Sequence, residues 1–321
     1  MSRLTHALLL SAGLGTRLRP LTLVRAKPAI PVAGIPMARR IIGWLAGAGI
    51  TDVVLNLHHL PETITSVVGD GGDLGVRARY SWEQPRVLGS AGGVRQALGI
   101  LGDETFVVAN GDTLTDLDIA PLLAAHHSSD ALVTMSVIPN REPQRYSGLR
   151  LARDGAVLGV EPRGSAAASY HFIGVQVVHA SAFADIPAGR AANSVGDVYD
   201  ALIAARPGSI RASVCDARFW DIGTVEDYWL TSRAFAAIES PDGVRNPLEV
   251  GDRSRGVDSV VSSVVNSIVW SDVVLGDGCT LDRCIVTDGV HVAPGARYSN
   301  MILMRGAGHD VVAVPFRAEG T

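Results

Sequence analysis

The sequence predicts an α/β protein, a doubly wound, mainly parallel sheet followed by a small C-terminal left-handed β-helix. Three observations carry this expectation. Short apolar runs alternate with helical patterns up to about residue 240, the form taken by a sheet with crossover helices. An Asp154-Gly155 pair between two alternating runs signals one hairpin within that series. Past residue 247 the helical period disappears and hydrophobic residues recur at six-residue steps.

Strands are expected at 7–10, 53–57, 78–81, 105–109 and 132–138. Between them, 37–48, 61–68, 91–98 and 119–126 carry apolar residues near helical spacing. From Gly148 the hairpin follows, and "HFIGVQVV" reads as a further strand. A helix over 195–205, a strand over 210–214 and a helix over 224–238 complete this part. The stretch "ESPDGVRNP" holds two prolines and a glycine after the last helix, so the domains divide as 1–245 and 246–321.

In the tail, Val273, Cys279 and Ile285 step by six, as do Val290 and Ala296, with a one-residue slip between the sets. Leu275, Leu281, Val292 and Tyr298 keep the same phase. With "GDG" and "PGA" turns this implies a short β-helix, each flat side taking one hexad; a meander of antiparallel strands is the alternative. Such a coil leaves an end with unpaired backbone, which a partner or its own terminal segment must cap. Self-association into a homo-oligomer is therefore expected of the tail.

Composition narrows the partners. The chain has 321 residues, 47% hydrophobic and 19% charged, with Lys+Arg 28 against Asp+Glu 32 and a formal charge of −4. No global positive field exists to hold nucleic acid. Cys215, Cys279 and Cys284 form neither a paired framework nor a metal-type spacing. The apolar run 7–10 is too short for a signal-peptide core or a membrane span. A cytoplasmic protein is expected, with ordinary thiols and no membrane partner. The histidine pairs 58–59 and 126–127 read as solvated element ends.

The stretch "LLLSAGLGTRLRPLTLVRAKPAIPV", Leu8 to Val32, carries the chemistry. Gly13-x-Gly15 after a strand suggests a dinucleotide fold, but the third glycine would fall at Leu18, and Pro20 sits where a helix would run. The phosphate-loop pattern G-x-x-x-x-G-K-[ST] is absent as well. What remains is a loop whose backbone N–H groups, with Thr16, Arg17 and Lys27, can wrap a polyphosphate.

The order Gly13, Gly15, Thr16, Arg17, Leu18, Pro20, Leu21, Thr22, then Lys27, Pro28, Pro31 and Val32 resembles the signature of the sugar-1-phosphate nucleotidyltransferases. Ala26 stands where that family commonly has proline. The resemblance reaches about residue 239, and the hexad tail occurs in part of the family. It implies the fold of a nucleotide-diphospho-sugar transferase. It also implies that Leu10, Ala12, Gly13, Gly15 and Thr16 border the nucleotide, with Arg17 and Lys27 on its phosphates. "EQPRVLGSAGG" matches the family's segment closing over the base, which puts Glu83, Gly89, Ser90 and Ala91 there; its small residues let backbone approach a ligand. Asn110 and Gly111 are implied at the ribose.

Asp112 in "VVANGD" and Asp221 in "FWDIGT" match the family's two carboxylates for Mg²⁺, a hard cation suited to carboxylate and phosphate oxygens. Each aspartate alone would read as a helix cap or turn. Gly148, Glu161 and Gly174 fall at the implied sugar end. There the family often has E-K-P, whereas this chain has Glu161-Pro162-Arg163. Arg163 is the candidate replacement for the missing lysine charge, provided its loop bends inward.

The expected function is Mg²⁺-dependent transfer from a nucleoside triphosphate to a sugar 1-phosphate, releasing pyrophosphate. Within the family the sequence leans toward the mannose-1-phosphate guanylyltransferases, with thymidylyl- or uridylyltransferases as the alternative. A non-catalytic subunit that binds a nucleotide sugar is the reading from another class. It would be expected to lack the charges that Arg17, Lys27, Asp112 and Asp221 retain.

Overall fold

The computed structural model describes residues 4–240, 249–257, 262–308 and 310–316. The expected boundary at 245/246 falls outside them. Packing gathers the chain into two compact units, residues 1–14 with 38–220, and residues 15–37 with 221–321.

In the first unit the strands of the main sheet are β1 (His6–Leu10), β2 (Asp52–Leu57), β3 (Arg77–Trp82), β4 (Thr105–Asn110), β5 (Val133–Pro139), β6 (Gly148–Leu151), β7 (Val157–Glu161), β8 (Tyr170–His179) and β9 (Ile210–Val214). The helices are α1 (Met37–Gly47), α2 (Pro61–Val68), α3 (Gly89–Leu101), α4 (Ile119–His127) and α5 (Tyr199–Ala205). Helix α1 forms because Met37, Ile41, Ile42 and Leu45 make one apolar stripe, and all four are buried. Asp118 caps α4, accepting from the Ala120 N–H at 3.0 Å.

The strands form one nine-stranded sheet in the order β7-β6-β8-β4-β1-β2-β3, with β5 pairing both β8 and β9. Strand β1 is parallel to β2 and to β4, β2 to β3, and β5 to β9. The hairpin expected at Asp154-Gly155 is β6 with β7. Strand β8 departs from the doubly wound pattern: it runs antiparallel to β4 and β5. It follows a hairpin rather than a crossover helix, so it enters from the opposite end. The parallel strands bring the carboxyl ends of β1, β2 and β4 to one edge, where ligands of open α/β sheets bind. Among the described residues no helix is long and apolar enough to cross a membrane.

The helix expected over 195–205 begins later, at Tyr199. Val195 and Gly196 are non-helical, and Ser194 and Asn193 spend their N–H groups on the Ser90 hydroxyl and the Asp197 carboxylate. His126 is also a correction. It is buried, with its Nδ1 2.9 Å from the Thr134 hydroxyl, because α4 lays its last turn on β5.

Burial first, then the charges of His127 and His179, push the His126 pKa down to about 4. The folded state therefore binds this proton less readily than the unfolded chain, whose histidines titrate near pH 6.5. Stability should be undiminished above that pH and fall as pH drops from about 6.5 to about 4. The unfolding free energy measured across this window should decline by about 3 kcal/mol, and less so in His126→Gln. An identical slope in the variant would remove the assignment.

In the second unit, residues 15–37 form three short turns and the hairpin Pro31–Val32 with Ile35–Pro36. Helix α6 (Val225–Glu239) starts at the expected place. Thr224 caps it in a reciprocal box: Asp227 N–H donates to the Thr224 hydroxyl at 3.2 Å, and Thr224 N–H to the Asp227 carboxylate at 3.0 Å.

The described tail is made of short parallel pairings. Ser263 pairs with Thr280 and Thr280 with Arg297, while Ile268 pairs with Ile285 and Ile285 with Ile302. Each step is 17 residues, three hexads less one, which is the slip visible in the sequence. Val269, Val273, Cys279, Leu281, Cys284 and Val286 fill its core. At the end Val311–Pro315 pairs antiparallel with Met301–Arg305, so the chain's own segment covers that sheet edge.

Candidate functional site

In the first unit the site begins where β1 ends. Leu10 lies opposite Asn110, and the Gly111 N–H donates to the Leu10 carbonyl at 2.9 Å. Ser11 donates its N–H to Asn56 Oδ1 at 2.6 Å and its hydroxyl to the Asn56 carbonyl at 2.5 Å. Ala12 is buried after it, whereas Gly13 is exposed and has open space beside it. Gly174 takes φ +81°, and a Cβ there would stand 3.0 Å from Asn110 Nδ2. Glycine thus lets Asn110 pack directly against β8. Asp112 follows at the end of β4, half-buried, with the Thr113 hydroxyl 3.4 Å from its Oδ1.

Behind this edge runs a buried polar relay. Asn56 Nδ2 donates to Glu83 Oε1 at 2.6 Å, and the Leu88 N–H donates to Glu83 Oε2 at 2.6 Å. Glu83 is wholly buried and its own carbonyl lies 2.7 Å from His58 Nδ1. This corrects the expectation that Glu83 contacts a base. Both carboxylate oxygens accept from protein donors, so the residue fixes the start of α3 against β2.

A second correction concerns Gly89, Ser90 and Ala91. The N–H groups of Ala91 and Gly92 both donate to the Ala192 carbonyl, at 3.0 and 3.1 Å. The Ser90 hydroxyl accepts from the Ser194 N–H at 2.8 Å, and a Cβ on Gly89 would meet the Ala192 carbonyl oxygen at 2.6 Å. These small residues do admit a close backbone, as expected, but it is that of 192–194. Two of the first four N–H groups of the helix are thereby satisfied within the protein.

The sugar end divides. Gly148 is buried against Ser169. Glu161 is held by Arg150 at 3.2 Å and by the Ser165 hydroxyl at 3.1 Å, which leaves its oxygens only part of their accepting capacity. Arg163, the candidate for the missing lysine charge, is exposed and makes no hydrogen bond or ion pair among the described residues. Beside Gly148 a cavity of about 370 Å³ is lined by Tyr146, His171 and Phe219. The Tyr146 and His171 ring centres are 4.2 Å apart. No periodic pattern in the sequence marks this cluster.

In the second unit the loop folds on itself. Gly15 takes φ +59° and a Cβ there would stand 2.7 Å from the Thr22 methyl and 3.4 Å from Lys27 Cβ. The Thr22 hydroxyl donates to the Gly15 carbonyl at 3.0 Å. Only glycine fits this turn, and it lets the start of the loop pack against Thr22 and Lys27. Lys27 itself is buried. Arg17 is exposed, and a Cβ on Gly223 would stand 3.0 Å from its Nη1. Asp221 lies half-buried two residues before that glycine and three before the Thr224 cap.

Arg25 and Asp288 were not anticipated. Arg25 donates to both Asp288 oxygens at 2.7 Å and lies 5.3 Å from the centre of the Trp270 ring. On α6, Glu226 receives Arg283 at 2.9 Å. The tail therefore carries charged contacts.

The first unit is an open α/β sheet with Asn110 and Asp112 at the end of β4, where proteins of this class take their ligands. The second holds a glycine-bearing turn with an exposed arginine and a buried lysine, suited to an anion. The nucleotidyl transferase family model matches residues 6–237, and the chain belongs to that family. Relatives are sugar-1-phosphate nucleotidyltransferases. Mannose-1-phosphate guanylyltransferase of Mycobacterium tuberculosis is 32% identical over 90% of this chain and 81% of its own length. UTP–glucose-1-phosphate uridylyltransferase of Synechocystis is 26% identical over 91% and 85%. The crystal structure of HddC from Yersinia pseudotuberculosis shares the fold at TM-score 0.62 and 24% identity, covering 72% of this chain and all of that one.

Proposed function

We propose that the protein joins a nucleoside triphosphate to a sugar 1-phosphate, giving a nucleoside diphosphate sugar and pyrophosphate, with GTP and mannose 1-phosphate as the leading pair. Its main support is the folded loop, in which Gly15 packs under Thr22 and beside buried Lys27 while Arg17 stays exposed. The 32% identity to a mannose-1-phosphate guanylyltransferase favours that pair over dTTP or UTP with glucose 1-phosphate.

The sugar phosphate oxygen is already anionic, so its attack on the α-phosphorus needs no protein nucleophile. The chain's contribution is alignment and charge. In this reading Thr16, Arg17 and the loop N–H groups hold the triphosphate, and Arg17 stabilises the departing pyrophosphate. Lys27, fixed by burial, lies between donor and acceptor phosphates. Asn110 and Gly111 hold the ribose against the end of β4, with Gly174 behind. Glu161 accepts sugar hydroxyls with the capacity Arg150 and Ser165 leave.

The donor set fits Mg²⁺. Among the described residues no three His, Cys, Asp or Glu side chains group into a metal site. Asp112 and Asp221 are the carboxylates that would hold the ion, with substrate phosphates and water completing its shell, the way this cation is commonly bound. When bound it would draw off charge at the α-phosphate. Assembly through a left-handed β-helical tail belongs to the same proposal, and a monomeric mass of the full chain by light scattering would remove it.

The specificity test is chromatography of products formed from GTP and mannose 1-phosphate with Mg²⁺. A GDP-sugar is the expected product. Product formed only with another triphosphate or sugar phosphate would reassign base and sugar.

A further inference from the structure

We infer that Asp288 is a positioning residue for the Lys27 loop, so that the tail takes part in turnover. The inference rests on the nucleotidyltransferase reading above.

Four contacts converge on the Arg25 guanidinium. Its Nε and Nη2 meet the two Asp288 oxygens at 2.7 Å each, a bidentate pair. Nη2 also donates to the Ser271 hydroxyl at 3.2 Å, and Nη1 to the Ala29 carbonyl at 3.3 Å. Ala29 closes the turn Lys27–Ala29. Arg25 therefore ties the turn that carries Lys27 to two successive passes of the tail. Asp288 is itself fixed, because its Oδ1 accepts the Ser271 N–H at 3.0 Å.

The anchor continues beneath. Arg25 lies over Trp270, which is fully buried and donates its Nε1–H to the Tyr228 hydroxyl at 2.9 Å. Tyr228 is in the first turn of α6, the helix entered from Asp221 through Gly223 and Thr224. One set of tail residues thus holds both the Lys27 turn and the start of the helix behind Asp221. With its charge committed to Asp288, Arg25 acts on the turn rather than on phosphate. Side-chain exposures of 16% and 27% shield the pair enough for fixed geometry rather than a fluctuating surface contact.

Asp288→Asn keeps the shape and removes the bidentate charge pair. It should lower kcat/KM for the triphosphate about tenfold, with KM for the sugar phosphate within about twofold, and cost only a few degrees of melting temperature. Arg25→Met with Asp288→Asn should lose no more than Arg25→Met alone, since both remove one interaction. Arg253→Ala, which breaks the exposed pair with Asp272 in the same tail, should leave turnover unchanged. Apart from turnover, tryptic cleavage within 15–32 should be at least about fivefold faster in Asp288→Asn than in the wild type.

Wild-type kcat/KM and wild-type cleavage in Asp288→Asn, or losses that add in the double variant, would overturn the inference. A wild-type protein with no turnover on any substrate pair would overturn the functional reading instead, and cleavage would still decide whether Asp288 holds the loop.

Discussion

Asp112→Asn is expected to cut Mg²⁺-dependent pyrophosphate release by about a hundredfold or more, the loss of roughly 3 kcal/mol of transition-state stabilisation. The change is isosteric and the side chain is half-buried at the end of β4, so the fold should survive. What is lost is one of two carboxylates proposed for the cation. A carboxamide oxygen carries no formal charge, and a hard cation at the crowded phosphates needs it. Lys27→Met should have a similar effect for the complementary reason: it removes a fixed cation while keeping the packed stem. Full turnover in Asp112→Asn, at unchanged Mg²⁺ requirement, would sink the metal assignment. The same result in Lys27→Met would sink the phosphate one.

The second large effect is on stability. Glu83→Gln should destabilise the protein by about 3 kcal/mol, seen as a lowered denaturant midpoint. Asn56 Nδ2–H and the Leu88 N–H aim at separate oxygens of Glu83, each at 2.6 Å. An amide can offer one oxygen, so its NH₂ must face a donor in a wholly buried place. Gly93→Ala reaches the same relay from the helix side, because its Cβ would stand 2.5 Å from Glu83 Oε1 and 2.7 Å from Asn56 Nδ2. A Glu83→Gln variant as stable as the wild type would mean that the relay does not hold α3.

Much of the scaffold was legible because its signals are local. The strand cores at 7–10 and 53–57 are apolar runs, that at 210–214 alternates apolar with polar residues, and α2 spans the expected 61–68. Thr224 with Asp227 is a capping pair readable within four residues. Gly15 packs against Thr22 and Lys27 within one loop, a short-range arrangement in which only a glycine at positive φ fits. Strand β8 was seen as a strand, but its direction depends on the connection before it and not on its own pattern.

The site's support was less legible because it is made across distance. Arg25 and Asp288 are separated by 263 positions, and nothing in "TDG" sets that aspartate apart from a turn residue. Asn56 is a single polar residue inside the apolar strand β2, and nothing in that pattern says that its partner is Glu83. The "LGSAGG" segment shows why small residues alone are ambiguous. They announce a close approach without saying whether ligand or the backbone of Ala192 makes it.

The most direct test of nucleotidyl transfer is pyrophosphate release by the purified full chain with Mg²⁺, pairing each of GTP, dTTP, UTP, CTP and ATP with a panel of hexose and heptose 1-phosphates. The account predicts release that depends on both a triphosphate and a sugar 1-phosphate, strongest with GTP and mannose 1-phosphate. No release from any pair, with nucleotide-sugar binding retained, would contradict it and leave a binding subunit in its place.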